Sequence, residues 1–115
     1  DAFEALHKLA EDGKKYDVVI LDPPSFAKKQ VDIPGALKAY ERLVKLGLNV
    51  LAEGGVLVSA SCSSRIPADT FFETVTRTAA MAGRPLQVIE KTTHAADHPI
   101  GFPEGAYLKC IFGRV

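Results

Sequence analysis

Apolar positions recur along this chain in two periods, and each switch of period marks the boundary of an element. Phe3, Leu6, Leu9 and Ala10 fall on one face of a helix over Phe3 to Glu11, which Gly13 stops. The next run, Tyr16-Asp17-Val18-Val19-Ile20-Leu21, is short, β-branched and almost wholly apolar, as in a strand covered on both faces. It ends at Asp22-Pro23-Pro24, because proline cannot donate to a strand ladder. After the loop "SFAKKQVDI", a long helix is predicted from about Pro34 to Glu53. Leu37, Tyr40, Val44, Leu48 and Leu51 share its apolar face, and Gly54-Gly55 would end it. Val56 to Ala60 reads as a second strand that runs into the turn "SCSS". Pro67 suits the first turn of a third helix, which would bury Phe71, Phe72, Val75, Ala79 and Ala82 and stop at Gly83. Leu86 to Glu90 reads as a third strand. The loop "TTHAADHPIGFPEG" then leads to a last strand over Ala106 to Phe112.

The order α-β-α-β-α-β-β predicts an α/β fold spanning residues 1–115. Strands separated by helices imply right-handed parallel crossovers, whereas the last two strands have no helix between them. A mixed sheet with one reversed, final strand is therefore expected. In open α/β sheets, sites form beyond the carboxyl ends of the parallel strands. Three loops leave from that edge, DPPSFAKK, SCSSR and HAADHPIGFPEG, and they should converge.

Composition narrows the class. Lys plus Arg and Asp plus Glu each number 14 of 115 residues, which argues against a generic nucleic-acid or membrane patch but leaves room for a local basic rim. Two cysteines are too few for a disulfide-stapled secreted domain, so a reducing compartment such as the cytoplasm is expected. No run approaches the roughly 18 apolar residues of a membrane-spanning helix. The start, "DAFEALHKLAEDGKK", is charged and helical rather than a signal peptide. It has no initiator methionine and opens inside an amphipathic segment, so a piece of a longer protein is expected.

Two loops carry candidate chemistry. Asp22-Pro23-Pro24-Ser25-Phe26 can be a plain strand-ending turn. It can also be a rigid acid-bearing turn, on which a planar heterocycle would stack against Phe26 and hydrogen-bond to Asp22. Cys62 can be a small buried filler. It also lies past the end of a parallel strand and before a helix N-terminus, where partial positive charge favours a thiolate, and Arg65 is near in sequence. In that reading its flanking serines are small residues that leave the thiol open to a flat base. Cys110, inside the apolar run Leu108 to Phe112, reads as core. His98, in Asp97-His98-Pro99, either shuttles a proton or orders its loop. Lys28 and Lys29 either face solvent or contact phosphate. There is no metal-ligand spacing, nucleophile elbow, dinucleotide fingerprint or P-loop.

Together, "LDPPSFAK", "SCSS", "AADHP" and "PEGAYLK" resemble the C-terminal half of class I S-adenosylmethionine-dependent methyltransferases. The closest resemblance is to bacterial large-subunit ribosomal RNA enzymes that make 5-methylcytosine. The pairing of DPP-x-F with S-C-S is the specific part. The resemblance implies a Rossmann-like fold, S-adenosylmethionine as cofactor and RNA as partner. It implies Cys62 as the nucleophile on cytosine C6 and Asp22 as the group that polarises N3. Pro23, Pro24, Phe26 and His98 would contact substrate, and Asp1, Asp22 and Pro23 the cofactor, with no metal. The second cysteine that some such enzymes carry in the DPP region is absent here, Ser25 being the nearest position. The family's glycine-rich cofactor loop would lie upstream, so this piece alone is expected to be inactive. Its first strand would be an exposed edge that invites self-association. Two other readings compete: a DPP-type methyltransferase acting on a base nitrogen of RNA or DNA, and a non-catalytic RNA-binding module.

Overall fold

Local chemistry sets the first boundary. Asp1 Oδ1 accepts the Glu4 N–H at 2.8 Å, capping a helix over Ala2–Glu11 (α1). Gly13 closes it at φ +72°, a conformation that costs a residue without Cβ little. The computed structural model describes residues 1–27, 30–93 and 108–115. After α1 come Tyr16–Leu21 (β1), a short 3-10 turn at Gln30–Asp32 and Ile33–Asn49 (α2). Leu51–Ser61 (β2), Ala68–Met81 (α3), Gln87–Thr92 (β3) and Lys109–Arg114 (β4) follow. The strand order is β1-β2-β4-β3. β1 and β2 run parallel, and β4 is antiparallel to both its neighbours. The mixed sheet with a reversed last strand is as predicted, and that strand inserts between β2 and β3.

Helix α2 ends earlier than its periodicity suggested. Leu51 continues the helical spacing but is the first residue of β2, and Gly54-Gly55 lie inside that strand. The reason is polar. Lys15 Nζ donates to the Asn49 carbonyl at 2.7 Å. Arg84 donates to the carbonyls of Leu48, Leu51 (2.7 Å) and Ala52 (3.3 Å), satisfying oxygens that a longer helix would have bonded internally. The two glycines instead build a bulge. Pairing jumps from Tyr16↔Leu51 to Val18↔Val56, and Gly54 takes φ +75° inside the jump.

Helices α2 and α3 pack on one face of the sheet. Val19, Leu21, Leu57, Ser59, Ser61 and Ile111 point into that layer and are buried. The opposite face is open. Val18 is 55% and Ile20 68% exposed, so the expectation that β1 is covered on both faces is corrected: it is an edge strand covered on one side. Ala82 is also exposed, because it caps the C-terminus of α3 rather than extending its apolar stripe. The rest of that stripe, Phe71, Phe72, Val75 and Ala79, is buried as predicted.

The core is organised by a run of aromatic rings. Phe3 of α1, Phe26 of the first loop, Tyr40 of α2 and Phe71 of α3 follow one another at centroid spacings of 6.3, 4.9 and 5.2 Å. Each steps edge-on or tilted to the next, as ring quadrupoles prefer. The run ties three helices to the loop that follows β1.

Candidate active site

The turn after β2 is fastened by its serines. Ser61, the last residue of β2, is buried, and its Oγ shares a hydrogen bond of 2.8 Å with the Tyr40 hydroxyl. The same Oγ accepts the Ser63 N–H at 3.2 Å, curling the chain over itself around Cys62. Ser63 is fully buried, and its Oγ donates to the Ala27 carbonyl at 3.2 Å. Ser25 donates to that carbonyl too, at 3.1 Å. One carbonyl thus joins the turn carrying Cys62 to the loop carrying Asp22. The reading of these serines as spacers is corrected for Ser61 and Ser63: they are buried clamps.

Cys62 sits on that clamped turn, half-buried and not disulfide-bonded. Two polar groups on different elements interact with it electrostatically, the Tyr40 hydroxyl from α2 and Lys109 from β4. Burial pushes the Tyr40 phenol above its ordinary value; the Ser61 bond works against this, and negative charge at Cys62 adds to it. Lys109 is only 3% exposed. Burial pulls its ammonium below the ordinary lysine value, while charge at Cys62 pulls the other way. Its Nζ donates to the Ser63 carbonyl. Lys109 pairs with Ser61 across the β2–β4 ladder, which places it beside the start of the cysteine turn.

The end of β1 opens onto two clefts. One, of about 650 Å³, lies between α1 and the β1 end and is lined by Asp1, Phe3, Leu6, Asp22, Pro23 and Phe26 among others. The second, of about 660 Å³, lies over the open sheet face, lined by Ile20, Asp22, Val58, Ser61, Lys109 and Cys110 among others. Asp22 belongs to both. Cys110, read from sequence as core, is half-buried and borders the second cleft. Burial is the main cause that pushes its thiol up, and the Asp22 charge adds to it. Both disfavour a thiolate there.

The structure therefore brings Asp1, Asp22, Pro23, Pro24 and Phe26 to one cleft and sets the Cys62 turn on the next strand. Asp1 has one oxygen engaged in capping α1. The Phe26 ring is wedged between Phe3 and Tyr40, so packing is its first role. His98, Lys28 and Lys29 lie outside the described residues. Among the described residues, no group of three or more His, Cys, Asp or Glu could hold a metal, and no helix is long and apolar enough to cross a membrane. Sequence reading missed Lys109 and the clamping roles of Tyr40, Ser61 and Ser63. The signal for Lys109 was available: in Lys109-Cys110-Ile111-Phe112-Gly113, alternation puts the lysine on the buried face with Ile111 and Gly113.

No protein-family profile matches the chain. The chain is 43% identical, over 100% of its length, to ribosomal RNA large subunit methyltransferase I of Shewanella amazonensis, of which it covers 30%. It is 44% identical over 97% of its length to a ribosomal RNA large subunit methyltransferase of Deinococcus radiodurans, covering 28% of that protein. The chain thus spans about three-tenths of the length of these relatives. Its fold superposes on a Streptococcus mutans protein described as a SAM-dependent methyltransferase with a TM-score of 0.81 at 20% identity, covering 100% of this chain and 29% of that one. At that identity the likeness is one of fold.

Proposed function

Over its full length this chain is homologous to a segment of the large-subunit ribosomal RNA methyltransferases, and from that premise we propose that it carries the base-modifying centre of an S-adenosylmethionine-dependent enzyme that methylates cytosine C5 in ribosomal RNA. In this reading the chain is the C-terminal part of the catalytic domain, residues 1–115 forming one unit with the parent's remaining cofactor site, and the parent works in the cytoplasm. The observation that carries the proposal is the Ala27 carbonyl, which accepts from Ser63 and so locks the cysteine turn to the Asp-Pro-Pro loop.

The cleft between α1 and β1 suits the cofactor. It has apolar and aromatic walls from Phe3, Leu6 and Phe26, and carboxylates at Asp1 and Asp22. Bound S-adenosylmethionine would supply an electrophilic methyl group. Asp1, Asp22 and Pro23 would hold it, and Pro24 and Phe26 would shape the substrate side. His98 is proposed to contact the substrate.

Cytosine C5 is a weak nucleophile until a group adds to C6. Cys62, as thiolate, would form the S–C6 bond, moving the ring electron pair toward C5. Asp22 would hydrogen-bond to or protonate N3, stabilising the charge that develops there. C5 would then take the methyl group, with S-adenosylhomocysteine as the leaving thioether. Loss of the C5 proton to a base returns an electron pair to the ring, the S–C6 bond breaks and Cys62 leaves as thiolate. Replacing Cys62 with Ala in the full-length protein should lower methyl transfer to RNA by at least about a thousandfold. Retained transfer would instead support methylation of a base nitrogen. That second reading has one observation in its favour: among the described residues Asp22 lines both clefts, whereas Cys62 lines neither.

A further inference from the structure

Lysine is seldom fully buried without a reason. Lys109 is buried in β4, in the layer between sheet and helices, and borders the same cleft as Asp22 and Ser61. Its ammonium reaches past Ser61, its partner across the ladder, to the carbonyl of Ser63. That carbonyl belongs to the turn on which Cys62 sits, and it also accepts the Ile66 N–H at 3.5 Å. Desolvating a lysine is costly, and hydrogen-bond acceptors such as the Ser63 carbonyl offset part of that cost.

We propose that Lys109 is a positioning residue for Cys62: its ammonium fixes the Ser61–Ser64 turn through the Ser63 carbonyl and stabilises the cysteine as thiolate from the neighbouring strand. The idea rests on the reading of Cys62 as nucleophile, but its physical content, a cation that favours the thiolate, stands apart from catalysis. Burial lowers the Lys109 ammonium, and charge at Cys62 works against that lowering. Other ionisable groups facing this part of the structure are the Tyr40 phenol on α2, which also interacts with Cys62, and Asp22 and Cys110 on the cleft side. Burial raises the Tyr40 phenol, which favours its neutral form, and Arg65 follows the same turn but is exposed, so Lys109 is the buried cation that hydrogen-bonds to this turn. No bond is made or broken by Lys109. It keeps its proton while Cys62 alternates between thiolate and thioether.

The test reads the thiol without needing methyl transfer. In the full-length protein, iodoacetamide labelling of Cys62 is followed by peptide mapping across pH 6 to 10 for wild type, Lys109→Met and Lys109→Arg. Lys109→Met should label about tenfold more slowly at pH 7, with its profile displaced about one unit to the alkaline side. Lys109→Arg, which keeps the charge, should stay within about threefold of wild type. If Lys109→Met does not fold, Lys109→Gln is read the same way. An unshifted profile in the neutral variant overturns the proposal, as does equal slowing in both variants without displacement, which would mark a packing role only. If Cys62 proves not to be the catalytic nucleophile, the labelling result is unaffected, so the two claims fail separately.

Discussion

Ser63 shows how much one small side chain can hold. Its N–H, Oγ and carbonyl are all engaged, with Ser61, Ala27 and Lys109 respectively. Ser63→Ala should cost about 1 kcal/mol by urea unfolding, since Ala27 O keeps Ser25 as a partner. The larger effect should be on activity, because the lost bond is the one that joins the two loops. Tyr40→Phe should cost about 1–2 kcal/mol, because it removes the hydroxyl bonded to buried Ser61. It should also change the response to alkali. A phenol whose value is raised in the folded state binds its proton longer there than in the unfolded chain. Its contribution is present below its ordinary value of 10.0 and is lost as pH rises through the folded value. Cys110 acts with the same sign above 9.0, and Lys109, lowered from 10.5, with the opposite sign. Unfolding free energies measured from pH 8 to 11 should therefore fall less steeply for Tyr40→Phe than for wild type.

At the scale of elements, the β2 bulge decides where helix stops and strand begins. A Cβ at Gly55 would lie 2.7 Å from Leu51 Cδ1, 2.8 Å from Ala52 O and 2.9 Å from Asp17 O. Two of those atoms are backbone, so they cannot move aside. Gly55→Ala should cost about 1–3 kcal/mol. Gly35, in the first turn of α2, meets nothing within 4 Å, and Gly35→Ala should stabilise by about 0.4–1 kcal/mol. Thermal melts of the pair separate crowding from the general effect of adding a methyl group. This bulge also marks the limit of what the sequence discloses. Helical periodicity through Leu51 was genuine in the sequence, but Arg84, distant along the chain, takes the carbonyls that the helix would have needed. Stop signals at Gly13 and Gly83 were legible because positive φ is a local demand. The convergence of the DPP and SCSS loops was legible from topology. The serine clamps were not, because a serine near a turn carries no sequence mark of what its hydroxyl will find.

At the scale of the whole molecule, the sheet has, among the described residues, one open face and an unpartnered edge at β1. Val18 and Ile20 there are mostly exposed, a surface that solvated monomers seldom keep bare. The isolated chain should therefore self-associate, and light scattering should show species above 12.4 kDa that Val18→Lys with Ile20→Lys reduces. A clean wild-type monomer would argue against this. The same division predicts that the isolated chain binds S-adenosylmethionine weakly, and a micromolar Kd by calorimetry would contradict the proposal that the rest of the cofactor site lies elsewhere in the parent. The run Tyr16 to Leu21 reads as buried on both sides because an apolar run looks the same whether its second face is covered by this chain or left open. The central claim is that Cys62 attacks cytosine C6. It is tested most directly by incubating the full-length protein with S-adenosylmethionine and RNA containing 5-fluorocytosine, in which the fluorine replaces the proton that must leave. A covalent protein–RNA adduct should form at Cys62, withstand denaturation and disappear in Cys62→Ala. Methyl transfer to the unmodified RNA with no adduct on its fluorinated counterpart would contradict it.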